Sequence, residues 1–71
     1  MIPPIQKQIL EKFGCLCEAS PGVRIGQLTA NLGFLAEDAT DRTLWDIDDE
    51  DLLRLIEKHL AEMSSRHAKL A

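Results

Sequence analysis

Residues 44–53, with the sequence LWDIDDEDLL, constrain the fold of this chain more than any other segment. They place the only tryptophan, Trp45, beside a run of acids that leads directly into an apolar helical pattern. Asp48 is a favourable N-cap residue, and Asp51 three positions later can complete a capping box. Acids in a first turn also favour the positive end of the helix dipole. The segment therefore predicts a helix that begins near residue 49, with Trp45 as an aromatic anchor before it.

The apolar residues after this acidic run repeat with alternating spacings of three and four, which gives one seam along a helix. At about 1.5 Å per residue this helix reaches further than the first one, so its last ~8 residues are expected to fray, to overhang or to pair with a second copy. The seam consists of Leu53, Ile56, Leu60, Met63, His67 and Leu70, with the histidine as its polar member.

Two further helices are predicted before this one. The first covers residues 3–19 and ends before Ser20-Pro21-Gly22, because a proline disfavours a helical residue in front of it. The second covers residues 24–36. Residues 37–43 lack periodicity and are predicted as a loop with room for one helical turn, and residues 44–47 as a short extended segment. The apolar positions of the two helices are Ile2, Ile5, Ile9, Phe13 and Leu16, then Ile25, Leu28, Leu32, Leu35 and Ala36.

These segments predict one all-α domain over residues 1–71: a small three-helix bundle with a loop and a short extended segment between helices two and three. A chain of this length buries only about 60% of its unfolded surface, so its core is marginal. We expect Trp45 to fill the gap between the second and third helices, and Arg24 to contact an acid of residues 46–51. The predicted core consists of Ile5, Ile9, Phe13, Leu16, Ile25, Leu28, Leu32, Leu35, Trp45, Ile47, Leu53, Ile56 and Leu60.

Composition disfavours several classes of function. The formal net charge is −4, and nucleic-acid binding relies on Lys and Arg, so nucleic acid is not the expected partner. The sequence has no run of 18 apolar residues, so no membrane span is predicted. It also has no basic region followed by an apolar stretch, so no secretory signal is predicted. Cys15 and Cys17 would diverge on a helix, so we expect free thiols and a cytoplasmic protein.

The acidic run resembles part of a calcium loop, since Asp46, Asp48 and Glu50 alternate as such ligands do. However, the glycine that the sharp turn of such a loop requires is replaced by Asp51, and the helical pattern begins too early for a full loop. We therefore expect these carboxylates to start a helix and to lie on a solvated face.

Neither a zinc site nor a catalytic site is predicted. Zinc ligands usually come in closely spaced pairs, and the cysteines diverge while the two histidines lie eight residues apart. No glycine-rich loop follows a strand, and no nucleophile lies in a pattern with a base. We therefore expect a non-catalytic protein with no cofactor and no metal.

Two surfaces are candidates for binding a partner. The first is a strip on the second helix, Arg24, Gln27, Asn31 and Phe34, whose spacing places its members on one side of that helix. A helix-turn-helix protein that binds DNA is the alternative interpretation of this strip, because such a recognition helix begins with similar residues. The second candidate is an acidic surface for a basic partner, formed by Asp46, Asp48, Asp49 and Glu50.

Residues 24–32, RIGQLTANL, followed by W-x-I-x-D-x-x-L-L over residues 45–53, resemble a group of short bacterial proteins with an R-x-G-Q-L-x-x-N-L helix. The resemblance covers about residues 21–60 and implies a bacterial origin and a shared helical unit. It implies no activity, since none is known for the group. The chain has Ile25 where the group suggests an aromatic residue after the arginine.

Together these observations predict a bacterial protein–protein interaction module, with a DNA-binding regulator as the alternative. The expected partner is another protein. Pairing of two copies through the end of the third helix, at Met63, His67 and Leu70, also stays open.

Overall fold

The computed structural model of the chain contains three helices and, within residues 1–70, no strand. Helix α1 spans Pro4–Ala19, α2 spans Ile25–Thr40 and α3 spans Asp49–Leu70. The structure describes the backbone of residues 1–70 and the side chains of residues 1–64. The predicted all-α three-helix bundle is confirmed.

The helices run up, down and up again. The side-chain amide of Gln6 donates a hydrogen bond of 3.4 Å to Asp49 Oδ2, which places the starts of α1 and α3 at the same end of the bundle. Thr40 and Asp51 line the same small groove, so the end of α2 lies at that end too. Helix α1 packs more extensively on α3 than α2 does on either of them.

One buried residue from each helix forms the centre of the core: Leu16 of α1, Leu32 of α2 and Ile56 of α3. No polar or charged side chain is buried among residues 1–64. The burial of these three residues was predicted from the helical spacing and is confirmed. Leu28, Ala36 and Ile47 are also buried, and the half-buried residues that pack against the centre are Ile9, Phe13, Leu35, Leu44, Leu52, Leu60 and Met63.

Helix α2 ends at Thr40, four residues later than predicted, because its last turn is closed by local hydrogen bonds rather than by apolar periodicity. Thr40 Oγ1 donates to the carbonyl of Ala36 at 2.7 Å. Asp41 then adopts the left-handed conformation, with φ 59° and ψ 19°, and donates its N–H to the carbonyl of Glu37 at 2.9 Å. Aspartate tolerates this conformation better than most residues, so it ends the helix as a glycine would.

Residues 44–47 form a turn, and the prediction of an extended segment was wrong. The N–H groups of Asp46 and Ile47 both donate to the carbonyl of Thr43, at 3.0 and 2.9 Å. In a helical turn, residues three apart share a side, whereas in a strand alternate residues do. Leu44 and Ile47 therefore point inward together, and Leu44 lies against Gly33 of α2.

Trp45 does not fill a gap in the core. Its side chain is 94% exposed, because the turn that directs Leu44 and Ile47 inward directs the residue between them outward. Ile25, also predicted in the core, is 64% exposed. It is the first residue of α2 and lies one turn before the buried Leu28.

Replacing Leu16 by Ala should unfold most of the protein. Truncating a buried leucine costs about 2–5 kcal/mol, and a core of this size supplies only about 3–5 kcal/mol in total. Urea unfolding followed by far-ultraviolet circular dichroism measures the change. Leu10→Ala, at a residue that is 59% exposed on the same helix, is the matched control and should change stability by less than about 0.5 kcal/mol. Equal losses in the two variants would contradict the assigned core.

Replacing Gly14 by Ala should stabilise the protein by about 0.5–1 kcal/mol, because alanine loses less backbone entropy than glycine in a helix interior. A Cβ at this position would meet no atom within 4 Å, so no steric clash opposes the gain. The urea midpoint should rise. A fall in the midpoint would show that α1 does not continue as a regular helix through Gly14.

Candidate interaction surface

All four residues of the predicted strip on α2, namely Arg24, Gln27, Asn31 and Phe34, have exposed side chains; we call them the α2 strip. Phe34 is 71% exposed. It lies two residues from Leu32 and two from Ala36, which places it about 200° around the helix from both of these buried residues. Phe34 therefore lies on the side of α2 that faces away from the core.

The α2 strip also fixes the start of its own helix. Gln27 Oε1 accepts the backbone N–H of Arg24 at 3.1 Å, which satisfies a donor that the first turn of a helix leaves unpaired. This is the returning half of a capping box, made from the third helical residue. Gln27 is therefore held in one place by the backbone, and the aromatic ring of Phe34 lies two turns further along the same side.

Arg24 does not contact an acid of residues 46–51, and that prediction was wrong. Within the described side chains the recorded ion pair joins Arg54 to Asp51, three residues apart on α3. Arg24 is at the start of α2, whereas residues 46–51 include the first turn of α3, which lies beside the end of α2. A helix of 16 residues is about 24 Å long, so the two groups lie at opposite ends of the bundle.

The acidic surface lies at the other end of α2 from Arg24. Asp46, Asp48, Asp49 and Glu50 are all exposed. Eight of the twelve acids of the chain fall within residues 37–51, and Arg42 is the one cation in that range. We call the end of the bundle formed by residues 37–51 the acidic pole.

Several carboxylates of the acidic pole have local partners. Asp46 Oδ2 accepts from Thr43 Oγ1 at 3.2 Å, which braces the 44–47 turn, and Asp49 accepts from Gln6. Asp48 precedes α3 and its carbonyl accepts the N–H of Leu52 at 2.9 Å, as an N-cap residue should.

The predicted capping box at the start of α3 does not form. The Asp51 carboxylate pairs with the Arg54 guanidinium on the exposed side of the helix instead. The acids of the first turn of α3 are Asp49, Glu50 and Asp51, and their favourable interaction with the helix dipole requires no capping bond.

Trp45 is the surface residue that the sequence interpretation missed. The signal that could have revealed its exposure is the spacing of Leu44 and Ile47. These two apolar residues are three positions apart and share a side only if the segment turns, which leaves Trp45 on the other side. Two of the three aromatic side chains, Phe34 and Trp45, are thus on the surface, while Phe13 packs against the core.

No three His, Cys, Asp or Glu side chains converge on a common point among residues 1–64. Cys15 is exposed and Cys17 half-buried, and both are free thiols. A groove of about 280 Å³ lies open between α2 and α3, and its lining residues are Leu35, Asp38, Ala39, Leu55, Lys58, His59 and Glu62.

The predicted self-pairing seam is described only in part. Met63 packs against the core of its own chain. The side chains of His67 and Leu70 lie outside the described residues. Pairing of two copies through the end of α3 therefore stays a prediction.

Comparison of the chain with protein-family models finds no matching family, and comparisons with curated proteins and with solved structures find no significant match. The resemblance to short bacterial proteins therefore stays an expectation. In the described residues, no helix combines the length and the apolar composition that crossing a bilayer requires.

Replacing Arg24 by Ala should leave the free energy of unfolding within about 0.5 kcal/mol of the parent, because its guanidinium is exposed and forms no ion pair with the described side chains. Gln27→Ala should cost about 0.5 kcal/mol or more, since it removes the acceptor of the Arg24 N–H. Urea unfolding measures both variants. A loss of more than 1 kcal/mol in Arg24→Ala alone would mean that Arg24 makes a stabilising contact after all.

Proposed function

We propose that this protein is a non-catalytic interaction module that binds another protein through the α2 strip and the acidic pole. The observation that carries the proposal is the exposure of Phe34 and Trp45 in a chain with only three aromatic residues. A marginal core of this size gains most from each large apolar side chain that it buries. Two aromatics kept on the surface therefore favour a role in contact with a partner.

The composition of the α2 strip fits this role. Aromatic residues and arginine are enriched in protein–protein interfaces and among the residues that carry most binding energy. Phe34 supplies an aromatic anchor, and Asn31 and Arg24 supply polar groups around it. Gln27 is already ordered by its bond to the backbone of Arg24, so less side-chain entropy is lost when a partner binds.

The proposal extends to the setting of the protein. Its free thiols at Cys15 and Cys17 are compatible with a reducing compartment, so we place it in the bacterial cytoplasm. A DNA-binding role is the less favoured alternative. Arg24 is the one cation among residues 24–40, and the end of α2 carries acids that would repel phosphates.

Site-specific crosslinking in cells should identify the partner. A photoreactive phenylalanine analogue at position 34 should give a discrete crosslinked protein, because this position lies in the proposed contact. The same analogue at position 10 is the matched control, since Leu10 is a comparably exposed apolar residue on α1. With the purified partner, Phe34→Ala should weaken binding by about tenfold or more, as for a central interface residue, while Leu10→Ala should change it by less than about twofold.

Indistinguishable crosslinking at positions 34 and 10 would contradict the proposal. A gel shift at low salt tests the alternative. DNA binding that falls steeply with added salt would favour the regulator, because release of counterions from phosphates causes that dependence.

A further inference from the structure

We propose that Trp45 and the carboxylates around it form a docking site for an arginine-rich segment of the partner protein. This inference rests on the proposed function and specifies the chemistry of the partner. It comes from three observations: the outward position of the indole, the turn that carries it, and the exposed acids that adjoin it in the sequence.

The indole is exposed by the geometry of an ordered turn. Leu44 is anchored on α2, where its Cδ1 lies 3.6 Å from the point that a Cβ on Gly33 would occupy. Ile47 is buried on the other side of Trp45 in sequence. Because both neighbouring anchors point inward and two N–H groups bond to the carbonyl of Thr43, the backbone at Trp45 is fixed and its ring is presented to the outside.

The charge around Trp45 selects the occupant. Residues 37–51 hold eight acids and one arginine, and Asp46 and Asp48, close to Trp45 in sequence, are both exposed. A guanidinium group suits this surface better than any other protein group, because it stacks on an indole face and also donates paired hydrogen bonds to a carboxylate. A segment with several arginines can use the ring and the carboxylates at once.

The same charge disfavours the other occupants. In a symmetric dimer formed through this surface, two acidic poles would face each other and repel. Nucleic acids and anionic lipid surfaces would be repelled in the same way. A cationic segment of another protein is the occupant that this surface fits.

The intrinsic fluorescence of the protein comes from Trp45 and therefore reports on binding at this site, since the chain has one Trp and no Tyr. Titration of the full chain with hexaarginine amide at low ionic strength should change the emission of the indole as guanidinium groups approach it. Hexacitrulline amide has a similar shape without the charge, and it should leave the emission unchanged. The affinity for hexaarginine should fall as salt is added, because exposed charges are screened.

Calorimetric titration extends the test to variants that lack the fluorophore. Trp45→Ala should weaken hexaarginine binding by about two- to fivefold, as expected for the loss of a cation–π contact at an exposed site. The fold should survive this change, since the side chain is 94% exposed, and circular dichroism checks that it does.

A pair of matched double variants separates local charge from net charge. Asp46→Asn with Asp48→Asn removes two acids beside Trp45, and Glu11→Gln with Glu18→Gln removes two exposed acids from α1. Both variants have the same net charge. The first should weaken hexaarginine binding by at least threefold more than the second.

Three results would overturn the inference. The first is equal hexaarginine binding by the parent and Trp45→Ala, and the second is equal weakening by the two double variants. The third is self-association in sedimentation experiments that Trp45→Ala abolishes, which would make a second copy the occupant. Any of these results leaves crosslinking at position 34 unaffected, so the proposed function and this inference fail separately.

Discussion

The contact between Leu16, Leu32 and Ile56 is the constraint on which the rest of the structure depends. Each helix contributes one residue to it, and the described core around it contains no buried polar group. Packing of apolar stripes thus supplies the specificity of this bundle, since the described side chains include no buried ion pair that would fix its register. Since all three helices must direct their stripes to one centre, their opposite sides and the connections between them remain available for recognition.

The connection between α2 and α3 shows how the core determines the surface. Leu44 and Ile47 both point inward because residues 44–47 form a turn, which is stabilised by hydrogen bonds of Thr43, including one with Asp46. The same turn directs Trp45 outward. The most exposed aromatic residue is therefore carried on an ordered backbone, so little backbone entropy is lost when it binds a partner.

The helices were predictable because apolar residues spaced by three and four residues can share a side only in a helix. The start of α3 was predictable from Asp48 and the acids after it. The end of α2 was not, because Thr40 and Asp41 close it by hydrogen bonds that carry no apolar signal. The position of Trp45 was not predictable in the same way. A strand places Trp45 and Ile47 on one side, whereas a turn places Leu44 and Ile47 on one side, and all three residues are apolar. The predicted contact between Arg24 and an acid of residues 46–51 was wrong, because the sequence does not show which end of α2 lies beside the start of α3.

The acidic pole concentrates negative charge at one end of the molecule. The whole chain has a formal net charge of −4, and residues 37–51 alone hold eight acids against one arginine. The remaining residues therefore have an excess of three cations. The attraction between this end and a cationic partner favours approaches that lead with Trp45. Orientation before contact raises the fraction of collisions that succeed, so the association rate should be the property most sensitive to ionic strength.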